Sequence, residues 1–169
     1  TFGEYSQFLR AAMADEESLQ LGEGLQTIAA QIEQVAGQLR QSAIDHAAIA
    51  RSLIELLELL REYRHLVQDL GEDWHMSYEF KAHFRALTHF RSQVTRWASE
   101  SGPPRNQLPE RPEFELSAWR LLGAGALLLD AFEQSGRKPA DPQGAAPGAS
   151  ASPQRGWWRR LLTVLHFKA

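Results

Sequence analysis

The chain has 169 residues, 43% of them hydrophobic, and 18 Lys and Arg against 21 Asp and Glu give a net charge of −3. It has no cysteine, which excludes disulfides, thiol nucleophiles and thiolate metal sites. The size suits a single core of packed helices, no stretch is apolar for the roughly 20 residues that a spanning helix needs, and no signal peptide is expected from the first residues.

Charge is unevenly placed. Residues 1–74 hold 13 acidic and 5 basic side chains, net −8, whereas residues 75–102 carry +2 and residues 103–169 carry +3. The acidic first part argues against a nucleic-acid partner, and the later positive charge suits an anionic surface.

In chain order, residues 2–13 read as a short helix with Tyr5, Phe8, Leu9 and Ala12 on one side. Asp15 or Ser18 would cap the next helix, whose start Asp15, Glu16 and Glu17 favour and Gly22 and Gly24 weaken. From there an apolar seam alternates spacings of four and three: Leu21, Leu25, Ile28, Ile32, Val35, Leu39, then Ser42 and His46, then Ile49, Leu53, Leu56, Leu60, Tyr63, Val67, Leu70 and Trp74. Such a repeat packs as a coiled coil or helical hairpin. The two polar positions mark a possible break between Gln41 and His46, and Gly71 marks a second. If unbroken, the rod would run to about Ser99, on the order of 110 Å, and would need a partner. Beyond Gly71 the helical pattern resumes as Phe80, Phe84, Leu87, Phe90, Val94 and Trp97, surrounded by Lys81, Arg85, Arg91 and Arg96.

All eight prolines lie at or beyond Pro103, which leaves the first hundred residues free for long helix, since an interior proline costs about 3 kcal/mol. The expected organisation is a coiled-coil region over residues 1–101 and a proline-rich linker over 102–112. A short apolar helix over 113–135 and a low-complexity, disordered linker over 136–156 come next. A basic, aromatic, amphipathic end over 157–169 completes the chain. In that last piece Trp157, Trp158, Arg159 and Arg160 have the composition of an interfacial anchor for anionic lipid.

Other candidate groups are histidines. Glu62 with His65, and Glu72 with His75, have the spacing of carboxylate-bridged metal bundles. However, they sit ten residues apart on one expected helix, and solvated pairs are the plainer reading. His46 is a pH-sensitive seam contact, or else a residue at a helix break or a polar residue that sets the register. His75, His83 and His89, with the nearby arginines, could meet phosphate head groups or line an ordinary solvated face. No catalytic triad order and no phosphate-binding glycine loop is present, so no enzyme activity, cofactor or metal is expected.

The stretch Leu53-Ile54-Glu55-Leu56-Leu57-Glu58-Leu59-Leu60-Arg61-Glu62-Tyr63-Arg64-His65-Leu66-Val67, preceded by Leu21-Gly22-Glu23-Gly24-Leu25 and the helix over 28–39, resembles the banana-shaped dimerisation region of sorting nexins with a BAR domain. There, an acidic, leucine-rich stretch followed by a tyrosine lies on the second long helix. The resemblance covers residues 2–97, and no third long helix is expected after Trp97.

It implies an all-α, partial BAR-like protein that pairs with itself or a related helical protein. Such a protein would bind anionic, phosphoinositide-containing or curved membrane and act in protein transport, in the cytoplasm and peripherally on endosomes. Its dimerisation seam would comprise Leu25, Ile28, Ile32, Val35, Leu39, Ile49, Leu53, Leu56, Leu60, Tyr63 and Val67. Lys81, Arg85, Arg91 and Arg96 would face lipid. The alternative is a coiled-coil scaffold without lipid binding, in which the stretch 114–132 docks a protein.

Overall fold

The structure is a computed structural model describing the backbone of residues 2–70 and 72–136 and the side chains of 16–70 and 74–134. The linker over 137–156 and the segment 157–169 lie outside the described residues. Helix α1 spans Phe2–Arg40 without interruption. The expected restart near Asp15–Ser18 does not occur. The backbone remains helical through Gly22 and Gly24, although a helical glycine costs roughly 1 kcal/mol relative to alanine.

The chain then bends at residues 41–45, and α2 (His46–Gln68) starts at Asp45, an extended N-cap whose carboxylate accepts the Ala48 N–H at 3.1 Å. Ser42 and His46, the polar interruptions of the seam, are both exposed at this bend. The one-turn α3 (Glu72–His75) precedes α4 (Tyr78–Ser101). Ser77 joins the two, its Oγ accepting the Phe80 N–H at 3.1 Å and donating to the Trp74 carbonyl at 2.8 Å. Two capped breaks therefore replace the long rod.

After α4 the Gln107 N–H donates back to the Glu100 carbonyl at 2.7 Å, and Asn106 takes a left-handed φ of 50°, a conformation that asparagine tolerates. Helix α5 (Arg111–Gly136) comes next. Pro112 sits in its first turn, where a missing N–H is harmless.

Among the described residues the architecture is a four-helix bundle with no strand. Helix α1 packs on α2, α2 on α4, α4 on α5, and α5 closes the ring against α1, so α1 lies diagonally from α4 and α2 from α5. Consecutive helices joined by short loops run antiparallel. Arg40 at the end of α1 accordingly meets Glu115 near the start of α5 at 2.7 Å. Segment 113–135 is thus within a full wall of the bundle.

Each helix turns its three-and-four-spaced apolar residues inward. Leu21, Leu25, Ile28, Ile32 and Val35 meet Ile49, Leu53, Leu56, Leu60 and Val67, and α4 and α5 add Leu87, Phe90, Val94, Phe114 and Leu121, all at most 2% exposed. Leu39 packs at the edge. The residues read as a dimerisation seam are therefore buried against the same chain, because α4 and α5 bring two further apolar stripes that complete the core. Phe114 joins Trp97 (5.7 Å between centroids) and Phe90 (6.0 Å) at one end, and Trp74 meets Phe132 (4.0 Å) at the other. No described helix is long and apolar enough to cross a membrane.

Full burial of such a side chain contributes roughly 1.5–3 kcal/mol, and truncation adds a cavity. Phe90→Ala is expected to lower the unfolding free energy by about 3–5 kcal/mol. Ile54→Ala, on the exposed side of α2, should change it by less than about 0.5 kcal/mol. Denaturant titration checks both, and equal effects would be incompatible with this core.

Candidate functional site

The core contains a polar layer. Tyr63 of α2 and His83 of α4 are 2% and 0% exposed, and the Tyr63 hydroxyl lies 2.6 Å from His83 Nε2, the rings meeting edge to face. With the hydroxyl donating, Nε2 accepts and the imidazole proton resides on Nδ1, a tautomer assigned from the bonding pattern. Nδ1 has no partner at full hydrogen-bond geometry, although the Leu121 backbone is close enough to influence its titration. Burial pushes the His83 pKa down from 6.5 to about 4, with the Leu121 backbone opposing the fall. Burial likewise raises the Tyr63 pKa, so the phenol stays protonated.

Two glycines make room for these rings. A Cβ on Gly24 of α1 would stand 3.0 Å from Tyr63 Cδ2. One on Gly125 of α5 would stand 2.9 Å from His83 Cε1 and 2.6 Å from Leu25 Cδ2. Every helix of the bundle thus contributes to this layer. Both polar side chains are closed off from solvent, so the pair orders the core and offers nothing for a substrate to reach. The burial of His83 also overturns its reading as a phosphate contact.

The accessible chemistry lies on the outside of α4. Lys81, Arg85, Thr88, His89, Ser92 and Arg96 are exposed and recur on one side of the helix, opposite Leu87 and Phe90. No acidic residue occurs between Glu79 and Glu100. The stripe runs beside a shallow open groove lined by Phe80, Lys81, Phe84, Arg85 and His89. Arg64 of α2 reaches over Phe84, its guanidinium carbon 6.0 Å from the ring centroid, a cation–π arrangement. At the far end Arg96 approaches Glu113 at 3.7 Å, with both side chains about half exposed, and such a pair contributes little.

Of the four basic residues grouped by the sequence, the structure brings Lys81, Arg85 and Arg96 onto this face. Arg91 is half-buried, roughly a quarter-turn round the helix. His89 belongs to the stripe as well as to the histidine group, and its spacing of four from Arg85 is the signal for it. His75 stacks on Phe80 at 4.5 Å, whereas Glu62 and His65 are exposed on α2. Among the described residues no three His, Cys, Asp or Glu side chains are grouped to hold a metal. Trp157, Trp158, Arg159 and Arg160 lie outside the described residues.

Comparison with protein-family models, with curated proteins and with solved structures returned no match.

The two glycines of α5 should respond oppositely to alanine. Gly123 has nothing within 4 Å of an added Cβ, so Gly123→Ala should stabilise by up to about 1 kcal/mol through helix propensity. Gly125→Ala should destabilise in spite of the same gain, because Leu25 and His83 are enclosed and cannot retreat. Thermal melts of both variants decide the matter, and stabilisation by Gly125→Ala would show that the polar layer is loosely packed.

The lowered His83 pKa also sets a pH dependence. The unfolded chain binds a proton at this imidazole below about pH 6.5, whereas the folded chain does so only near 4. Stability tied to neutral His83 is therefore present above 6.5 and lost as pH falls towards 4, roughly 3 kcal/mol in all. Unfolding free energy should already decline between about pH 6.5 and 5, above the ordinary carboxylate range, and His83→Gln should flatten that slope. An unchanged slope in the variant would assign the titration to other groups.

Proposed function

We propose that the protein is a non-enzymatic, membrane-associated interaction protein that uses the outer face of α4 to contact anionic membrane surface. The observation that carries this reading is the exposed alignment of Lys81, Arg85, His89 and Arg96, with no carboxylate on the helix between Glu79 and Glu100. Helical spacing lets such residues meet several phosphate groups at once. Interspersed Ser and Thr add neutral donors, and each lysine or arginine close to an anionic leaflet contributes about 1 kcal/mol.

The resemblance of residues 2–97 to sorting nexins with a BAR domain gives the reading its cellular setting. In that setting the protein is cytoplasmic, peripheral on endosomal membrane, and acts in protein transport with itself or a related helical partner. Self-association then uses surface outside the Leu25–Val67 seam, which the bundle already covers. Trp157 and Trp158, with Arg159 and Arg160, would add interfacial affinity through aromatic rings and guanidinium groups.

Co-sedimentation with anionic vesicles of small and large diameter, at about 0.15 M salt where exposed charges are partly screened, tests the proposal. Binding is expected and should weaken steeply with added salt. The triple change Lys81→Glu, Arg85→Glu and Arg96→Glu should reduce it at least tenfold, about 1.4 kcal/mol, while reversal at Arg91 should matter less. A preference for small vesicles would support curvature recognition. Failure to bind either size, or equal binding by the triple variant, would defeat the proposal.

A further inference from the structure

Helix α5 carries an apolar stripe on its outward side. Leu116, Trp119 and Leu127 are 51%, 39% and 58% exposed. Between the last two lies Gly123, before which the space is open. The spacings of three, four and four place the four residues in one line, about 17 Å long. This is separate from the inward face of Phe114, Leu121, Leu128 and Phe132.

The candidate occupant is the segment 157–167 of the same chain. In residues 157–167, Trp157, Trp158, Leu161, Leu162, Val164 and Leu165 have spacings that would line one side of a helix, and Arg159, Arg160, Thr163, His166 and Phe167 would fall on the other. Eleven residues in that form match the length of the stripe. The intervening 20 residues, 137–156, are rich in Gly, Pro, Ala and Ser. Twenty residues can reach up to about 65 Å from the end of α5. Leu127 lies nine residues back from Gly136 along α5, about 14 Å, and Leu116 lies about 30 Å back, so the whole stripe falls within reach.

Tethering at this length gives an effective concentration of order millimolar. That exceeds what a second molecule reaches at ordinary protein concentration and favours the chain's own end over a separate partner. We propose that residues 157–167 dock in cis on the Leu116, Trp119, Gly123, Leu127 stripe of α5. Where the membrane reading above also holds, on which this second step rests, the same tryptophans exchange between α5 and the bilayer, and docking holds them back until an anionic surface competes.

The absence of cysteine from the chain permits a direct test on the 169-residue chain. Gly123→Cys combined with Leu162→Cys should form an intramolecular disulfide under mild oxidation. The yield should be several-fold above that of Glu58→Cys with Leu162→Cys, whose first position is exposed on α2, diagonal from α5. Adding Leu116→Lys and Leu127→Lys, both at exposed positions, should bring the yield down to the control while the melting temperature is retained. Equal yields for the two pairs would overturn cis docking. So would a predominantly intermolecular product, which would assign the stripe to a second copy. Anionic vesicles should lower the yield of the α5 pair; an unchanged yield in vesicles to which the protein binds would overturn the exchange step and leave cis docking standing.

Discussion

The reversal of the chain at residues 41–45 decides what covers the apolar seam. Leu21 to Leu39 and Ile49 to Val67 keep one phase, so a straight helix would expose the whole stripe to water along its length. Once Asp45 captures the Ala48 N–H and starts α2 in the opposite direction, the two halves of the stripe face each other. Two helices bury only part of such a stripe. The stripes of α4 and α5 close the remainder, and Leu53, Leu56, Leu60, Leu87 and Phe90 all reach complete burial. The core is therefore a property of all four helices together, and no pair of them has a finished interior.

Apolar stripes of leucine and isoleucine are permissive about register, and the polar layer is not. Tyr63 and His83 satisfy each other only at one relative setting of α2 and α4. Their rings are accommodated by glycines on α1 and α5. Sliding α5 by one turn would place Leu121 or Leu129 where Gly125 now stands, at a point where even a single added carbon comes within 2.6 Å of Leu25. The cost is a buried imidazole whose Nδ1 lacks a well-formed bond and which resists protonation. A buried polar residue in a helical seam commonly trades stability for register in this way.

This balance also explains which parts of the fold are legible in the sequence. The all-helical class follows from the heptad spacing and the lack of proline before Pro103, and Ser42 and His46 mark where a break is possible, although the seam keeps its phase across them. The continuity of α1 does not, because Asp15, Ser18, Gly22 and Gly24 are local signals for an end or a weak start, and the burial of Leu21, Leu25 and Ile28, with Gly24 close to Tyr63, outweighs them. On α4 the inward position after Phe80 reads as Phe84, since phenylalanine is the more apolar choice. His83 fits the same spacing, three from Phe80 and four from Leu87, and takes the core position because Tyr63 supplies a hydrogen bond there. Phe84 instead lies half-buried under Arg64. Gly125 reads as a weak point of α5 until its neighbours are known, and Arg91 groups with Lys81 and Arg85 by charge although its angular position differs.

The uneven charge along the chain becomes a polarity across the bundle. From residue 11 to 39, α1 has no Lys, Arg or His and carries Asp15, Glu16, Glu17, Glu23 and Glu33. Between residues 80 and 99, α4 has no Asp or Glu. The ring order places these two helices on a diagonal, so the most acidic wall and the most basic wall lie on opposite sides of the molecule. Opposed walls of this kind give the bundle a dipole, on top of a net charge of −8 for residues 1–136, where 12 Lys and Arg stand against 20 Asp and Glu. Before an anionic surface the bundle's net charge repels, but its dipole exerts a torque that turns α4 inward and α1 outward. Within a Debye length of about 8 Å at physiological salt, the surface interacts with the near wall far more than with the far one. On the proposed membrane reading, attraction by Lys81, Arg85 and Arg96 would outweigh the repulsion from the Glu16 and Glu23 side, which is how a protein acidic overall could still present a cationic contact.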